Sequence, residues 1–398
     1  ISLEKDDKIK YKIIKSKKDI EFNTSLEILN NIFKLDFINY EKKDKDNLKI
    51  DIKGKKDLKG DIYFKEISLI ENENKVLIQD LNLTTKYALK EFKSIKFDYT
   101  DRENLKNDLS IIKKKNKYYL SGNSYNANKL IEDLLKSDNK KKKIVDNDFI
   151  LDVKIKKTFL DKKNIVRNIN GYLNFKNGEV FEANLKSNFD NQKKIYFTIQ
   201  SLQSERITTL FAGEAKPLVD RYTFVKGFDE GSLDFYSNKK GRITNSTLKI
   251  YDFKLKELPA LTKLLTLASL QGVADLLSGE GIRFNEFEMN FKNKDKLMTI
   301  DEIYAIGPAI SILMSGYIEK DKLVSLRGTL VPATTLNKTI GSIPILGDIL
   351  VGDKTGEGVF GVSFKIKGPP KNLETSVNPI KTLTPRFITR TLERIKKN

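Results

Sequence analysis

The chain has 398 residues and a formal net charge of +19, with no His, no Cys and no Trp. The absence of His and Cys excludes zinc fingers, thiol enzymes, disulfides and His-based catalytic triads. No nucleophile-elbow or phosphate-loop motif is present either. The length allows two to three ordinary domains, and because the chain begins at Ile1 we expect it to be a piece of a longer protein or a processed one.

The positive charge is carried mainly by Lys, since only ten of the 73 basic residues are Arg. Sites that bind phosphates with a forked contact or that contact base edges favour Arg. The lysines instead alternate with apolar residues along strand-like segments, which is typical of a solvated sheet face. We therefore expect no specific nucleic-acid binding, and a polyanion-binding protein stays an alternative.

The first predicted domain, 1–140, consists of strands with weak alternation that end in a helix. The segment "NANKLIEDLLK" predicts this helix near 126–136. The following charge run "SDNKKKK" indicates a loop or a domain boundary.

The second predicted domain, 141–257, is an antiparallel meander. In "FILDVKIKK" and "VFEANLKSNFD" apolar and polar residues alternate with a period of two, as in a strand with one apolar and one wet face. Phe181, Ala183, Leu185 and Phe189 are predicted to share the apolar face, and Phe197 continues the pattern in the next strand. The segment "SERITTLFAGEAKPLVDRY", 204–222, is predicted to be a helical patch.

The third predicted domain, 258–398, begins with the apolar segment "LPALTKLLTLASLQGVADLLSG". Lys263 and Asp275 argue against a membrane span, so we predict helix near 258–278 packed on the sheet. Strand alternation returns at Phe287, Met289 and Phe291, and again at Met314 and Phe364. Pro332 is predicted to end a strand, because it cannot donate to a ladder. A basic amphipathic helix is predicted near 384–396.

Several short pieces occur in order in the C-terminal half: "GEGIRF", "AIGPAI", "GTLVPA", "LN", "IPILG", "GEG" and "NP". With them, residues from about 200 to 395 resemble the C-terminal region of AsmA-like proteins of the YhdP type, which are envelope proteins of Gram-negative bacteria. "LSGNSYNANKLIEDLL" resembles a recurring strand-then-helix element of the same family. The high Lys content and "TPRF" depart from the family pattern.

The resemblance implies a mainly β fold, an elongated, twisted antiparallel β-sheet curled into a groove, with a few short helices packed on or capping its apolar face. It implies a periplasmic protein, anchored in the inner membrane by a helix that would precede Ile1. The groove would shield phospholipid acyl chains between the two membranes. The candidate groove residues are Phe181, Ala183, Leu185, Phe189, Phe197, Phe287, Met289, Phe291, Met314 and Phe364.

Two further elements are candidates for contact with an anionic membrane surface, namely the apolar segment around 343–350 and the C-terminal helix. The candidate residues are Ile343, Ile345, Leu346, Ile349, Leu350, Arg386, Phe387, Arg390 and Arg394. The alternative for the apolar segment is a cap on the open end of the sheet. The alternative for the C-terminal helix is that it docks on the sheet.

The function that this sequence favours is therefore non-enzymatic phospholipid transfer or outer-membrane biogenesis, with no metal and no cofactor. Its expected partners are phospholipid acyl chains, an anionic membrane and other envelope proteins. The alternative from another class is a periplasmic scaffold with a sealed core and no lipid.

Overall fold

The computed structural model describes residues 7–43, 46–136, 148–221, 226–257, 259–267, 280–332, 361–370 and 372–380. Within these ranges the chain is mainly β with a few short helices, which confirms the predicted fold class. It divides into two compact units, 1–200 (unit 1) and 201–398 (unit 2). The three-part organisation expected from the sequence is a different partition and stays a prediction.

The described residues of unit 1 form fifteen strands, of which β3 and β4 make a small separate pair. The strands are β1 Lys8–Lys15, β2 Asp19–Ile28, β3 Lys34–Leu35, β4 Tyr40–Glu41, β5 Leu48–Asp57, β6 Ile62–Glu71, β7 Asn74–Leu83, β8 Leu89–Glu91, β9 Ser94–Thr100, β10 Lys106–Lys114, β11 Lys117–Asn126, β12 Phe149–Phe159, β13 Ile165–Lys176, β14 Glu179–Phe189 and β15 Lys194–Leu202. Twelve of them follow one another across the sheet, from β1 and β2 through β5, β6, β7 and β9 to β15, and the short β8 pairs with the end of β7.

One pairing in unit 1 departs from the predicted antiparallel sheet. Strands β11 and β12 are parallel, with Leu120 beside Val153. Helix α1, Asn128–Lys136, lies between these two strands in sequence and confirms the helix predicted near 126–136. A parallel pair requires a crossover connection, and α1 belongs to that connection.

The segment between β2 and β5 covers one margin of the unit 1 sheet. It carries the β3–β4 pair and a short 3-10 helix, Asp36–Ile38. Phe33, Leu35 and Ile38 pack against a buried cluster that includes Tyr40. This cover was not predicted from the sequence.

Tyr40 joins this cover to the sheet through a buried hydrogen bond. Its hydroxyl donates to Glu71 Oε2 at 2.7 Å, and both residues are 0% exposed. Asn74 Nδ2 and the backbone N–H of Lys43 also donate to the Glu71 carboxylate, at 3.0 and 2.7 Å. Burial, together with the Glu71 carboxylate, raises the pKa of the Tyr40 phenol far above its usual range.

The variant Tyr40→Phe is expected to lower the free energy of unfolding of unit 1 by about 1.5–3 kcal/mol, because a buried carboxylate loses a donor. Since the folded-state pKa of Tyr40 is raised, its stabilisation is present below about pH 10 and is lost as the pH rises above that value. We therefore expect wild-type stability to fall above pH 10 more steeply than that of Tyr40→Phe, as measured by urea unfolding at a series of pH values.

The matched control is Tyr172→Phe, which removes a hydroxyl that donates to Glu182 Oε1 at 2.5 Å near the surface. The loss expected there is about 0.5–1 kcal/mol, because water replaces the donor. Equal losses in the two variants would contradict the structural role assigned to Tyr40.

Unit 2 is an antiparallel meander in which each described strand pairs with the next along the chain. The strands are β16 Glu205–Ala212, β17 Lys226–Lys240, β18 Ile243–Glu257, β19 Ile282–Lys294, β20 Leu297–Ile306, β21 Ile310–Glu319, β22 Leu323–Pro332, β23 Gly361–Gly368 and β24 Glu374–Ile380. Strand β22 extends to Pro332, the last described residue before 361, so the strand end predicted at Pro332 stays a prediction.

The described helices of unit 2 are α2, Lys216–Val219, and α3, Pro259–Leu267. The helical patch predicted over 204–222 is wrong for its first half, which forms β16, because pairing with β17 satisfies that backbone. Helix α3 confirms the start of the helix predicted near 258–278; it lies next to β24 and buries Leu261, Leu264 and Leu265. None of the described helices has the length and hydropathy of a membrane span. The predicted helix near 384–396 lies outside the described residues.

Candidate functional site

The alternation of the strands gives unit 1 a line of mainly apolar residues on one face of its sheet, here called the unit 1 apolar row. Each member lies opposite the next member on the neighbouring strand, across twelve strands. In order across the sheet the row consists of Tyr11, Thr24, Ile52, Ile67, Ile78, Ile95, Ile111, Leu120, Val153, Gly171, Leu185 and Phe197.

The opposite face of the same strands is polar. The residues next in sequence to the row members, before or after them, form a second line across the sheet. Its members are Ser25, Asp51, Ser68, Leu77, Lys96, Ser110, Ser121, Lys154, Asn170, Lys186 and Tyr196. Because side chains of consecutive strand residues point to opposite faces, the sheet separates an apolar surface from a wet one.

Most of the unit 1 apolar row is only half-buried. Val153 is the most enclosed member, at 7% exposed, whereas Tyr11 at the β1 edge is 70% exposed. The half-buried members are Thr24, Ile52, Ile67, Ile78, Ile95, Ile111, Leu120, Leu185 and Phe197. The row therefore presents a run of accessible apolar side chains, a feature that marks interaction sites when it is contiguous.

One margin of this surface is better enclosed than its centre. On one side, the cover formed by the β3–β4 segment buries Leu69 and Val76, and Ile52 and Ile78 of the row pack against that cluster. On the other side, Tyr118, Phe149 and Phe175 make a line of rings across β11, β12 and β13, with centroid distances of 5.3 and 4.5 Å.

Gly171 interrupts the row at β13, where two backbones approach closely. A Cβ atom placed on Gly171 would lie 1.8 Å from the backbone oxygen of Asn184 on β14, and the glycine has φ +149°. The register of β13 against β14 also shifts between Arg167 and Asn170. A bulge bends its strand and increases the local twist, so this site shapes the apolar surface between Val153 and Leu185.

Unit 2 carries a corresponding line, here called the unit 2 apolar row. It crosses nine strands and consists of Leu210, Phe235, Leu248, Met289, Ile303, Met314, Gly328, Phe364 and Val377. Ile303 and Phe364 are 6% and 4% exposed, whereas Phe235, Met289 and Met314 are half-buried.

The opposite face of unit 2 carries ion pairs and hydrogen bonds of ordinary strength. Lys249 Nζ lies 3.3 Å from Glu288 Oε2. Hydrogen bonds from Asn238 and Lys240 lower the pKa of the Glu205 carboxyl. These charged groups are paired across strands at the surface, an arrangement that stabilises a wet sheet face and shows no acid–base couple.

Four of the five predicted groove residues of unit 1 lie on the apolar face of β14 and β15. Leu185 faces Phe197 in the row, and Ala183 lies in the adjacent line opposite Ile199. Phe189 is 2% exposed and pairs with Val166 near the strand end, so it belongs to the enclosed margin.

Phe181 is placed differently from its predicted companions. It is the extra residue of a bulge between Val180, which pairs with Phe175, and Glu182, which pairs with Asn174. Its ring lies 3.9 Å from Lys176 Nζ. The period of two therefore breaks before Ala183, and Val180 takes the position opposite Phe175.

The predicted groove residues of unit 2 all lie on one face. Met289, Met314 and Phe364 belong to the unit 2 apolar row. Phe287 lies in the adjacent line between Ile250 and Ala305, and Phe291 lies in the line on the other side, opposite Ile300.

Sequence reasoning missed most of the unit 1 row, which lies in the first 125 residues. The signal was present as isoleucines at alternate positions in "KIDIK" and as "EISLI" and "KVLIQ", but bulges such as the one between Lys53 and Gly54 interrupt the period. The membrane-contact candidates Ile343, Ile345, Leu346, Ile349, Leu350, Arg386, Phe387, Arg390 and Arg394 lie outside the described residues.

Comparison with known proteins adds no relative: neither the family models, nor the curated proteins, nor the solved structures give a match to this chain.

Proposed function

We propose that the apolar face of this sheet binds lipid acyl chains and that the protein is a non-enzymatic lipid-transfer module. One observation carries the proposal. The unit 1 apolar row runs across twelve strands, and most of its large side chains are half-buried, while the other face of the same strands is polar. Such a surface stays open to an apolar ligand that follows the line of the row.

Acyl chains suit this surface because they need no directional contact. Each buried methylene contributes about 0.8 kcal/mol, so a tail that buries ten methylenes gains about 8 kcal/mol. A row of Ile, Leu and Val offers many weak dispersion contacts and no polar partner. The same surface would accept tails of different length and would allow them to slide between neighbouring positions.

The resemblance of residues 200–395 to the AsmA-like family supports the same proposal. Under it, the protein belongs to the cell envelope of a Gram-negative bacterium and acts in the periplasm, with an inner-membrane anchor outside this sequence. The net charge of +19 fits contact with the anionic surface of a membrane, where basic residues contribute about 1 kcal/mol each.

The test is to purify the chain without detergent, extract it with organic solvent and identify the lipids by mass spectrometry. We expect phospholipid to copurify, and we expect the protein to take up a fluorescent phospholipid from vesicles. Protein that is free of lipid and does not acquire the probe would contradict acyl-chain binding.

A scaffold with a sealed apolar face is the second candidate, and one observation favours it. At the β22–β23 end of unit 2, Leu330 and Val362 are 0% and 1% exposed, so this part of the face is already covered by the chain itself. Under this candidate a protein partner covers the rest. Lipid-free protein that copurifies with a stoichiometric envelope protein would support the scaffold.

A further inference from the structure

A second surface of unit 2 is lined mainly by polar and charged residues. A cavity of about 490 Å³ opens over strands β20 to β24. Among its described lining residues, six side chains are basic or carry a hydroxyl, namely Arg327, Lys365, Ser315, Thr329, Ser363 and Ser376. Leu313 and three members of the unit 2 apolar row, Met314, Gly328 and Phe364, also line it. By register they lie on the polar face, since Ser315, Arg327, Lys365 and Ser376 form one line of directly opposed residues and alternate with the apolar row.

Two exposed cations lie side by side at the surface of this cavity. Arg327 on β22 is directly opposite Lys365 on β23, so their Cβ atoms are about 4.5–5.5 Å apart. Among the described residues no hydrogen bond or ion pair involves either side chain. Like charges directly opposite one another destabilise a sheet, and an anion between them would remove this repulsion.

The cation pair alone does not define the site. Arg206 and Lys239 are also directly opposite each other, on β16 and β17, but they lie outside the cavity. What distinguishes Arg327 and Lys365 is the concave surface and the hydroxyl groups of Ser315 and Thr329 beside them. Hydroxyls can donate to anionic oxygens, and Arg matches phosphate with a forked pair of N–H groups.

Two carboxylates also line the cavity, and they lie at its β20 side. Asp301 is the extra residue of β20 in its pairing with β19, and Lys292 Nζ lies 3.1 Å from its Oδ2. Glu302 is half-buried and has an interaction partner of its own. Strand β21 separates both from Arg327, so the positive potential is concentrated over β22 and β23.

We infer that this cavity binds a phosphate-bearing ligand, held by Arg327 and Lys365 with the neighbouring hydroxyls. The phosphate is that of a lipid headgroup or a free phosphate. The inference stands on the cavity and its charges and does not depend on acyl-chain binding by the apolar rows.

The experiment is isothermal titration of the full chain with two probes, inorganic phosphate and dihexanoyl phosphatidic acid below its micelle concentration. The wild type is compared with R327Q/K365Q and with the matched control R206Q/K239Q, which removes the same two charges. We expect R327Q/K365Q to bind both probes at least tenfold more weakly, and the control to bind as the wild type does. Thermal unfolding of each variant checks that it folds. If R327Q/K365Q does not fold, the single variant R327Q replaces it in the titrations.

The two probes distinguish the sources of the phosphate. Tighter binding of the short-chain lipid than of inorganic phosphate identifies a lipid headgroup, and equal affinity identifies free phosphate. Absence of binding by the wild type, or equal loss in the two double variants, would overturn the inference. Phosphate binding by a protein that extracts without lipid would support this site and reject acyl-chain binding.

Discussion

Replacement of Leu185 by Lys is expected to reduce the phospholipid recovered per mole of purified protein by at least about tenfold. Leu185 lies in the unit 1 apolar row opposite Phe197, and it packs against the cluster of Leu109, Val153 and Ile155. An ammonium group among hydrocarbon costs about 2.5–3.5 kcal/mol, and 1.4 kcal/mol corresponds to a factor of ten. Phosphorus analysis of the extracted lipid measures the effect.

The matched control is Asn184→Lys, which introduces the same side chain at the preceding residue. Asn184 is exposed and lies opposite Thr198 on the polar face. The lipid content of the Asn184→Lys variant is therefore expected to equal that of the wild type. Leu185→Lys is also expected to lower the free energy of unfolding of unit 1 by about 1–2 kcal/mol, because Leu185 is half-buried. Unchanged lipid content and stability in Leu185→Lys would remove the support for an apolar binding surface at β14.

The second large effect is expected for Gly171→Ala, which should lower the free energy of unfolding of unit 1 by about 2–6 kcal/mol. A Cβ at Gly171 would meet the backbone oxygen of Asn184 at 1.8 Å and the Cα of Leu185 at 3.0 Å. Backbone cannot give way as a flexible side chain does, so β13 and β14 must separate, at a cost of about 1–3 kcal/mol for overpacking and about 1–3 kcal/mol for the disfavoured φ. Urea unfolding measures the change.

Gly241→Ala separates the two causes. Gly241 has φ +58° in the turn between β17 and β18, and nothing lies within 4 Å of the Cβ it would gain. Only the backbone cost of about 1 kcal/mol is expected there. If Gly171→Ala were no more destabilising than Gly241→Ala, the close approach of β13 and β14 would not be a constraint of the fold.

The sequence by itself determined which residues share a face, wherever strands are long and regular. In β19, Phe287, Met289 and Phe291 alternate with Glu286, Glu288 and Asn290, and the pairing places the two sets on opposite sides of the sheet. This succeeded because a side-chain period of two is a local property of an extended backbone. It also determined α1, since its apolar stripe has the helical period, and it excluded His and Cys chemistry outright.

The tertiary structure alone decided which strands pair and where the period breaks. The parallel pairing of β11 with β12 and the cover over Leu69 and Val76 join residues far apart in sequence, and no local pattern encodes such partners. The bulge at Phe181 depends on how β14 meets β13. The opposed cations Arg327 and Lys365 are separated by 38 positions in the sequence and are brought together only by the register of β22 with β23, because strand pairing converts distant residues into direct neighbours.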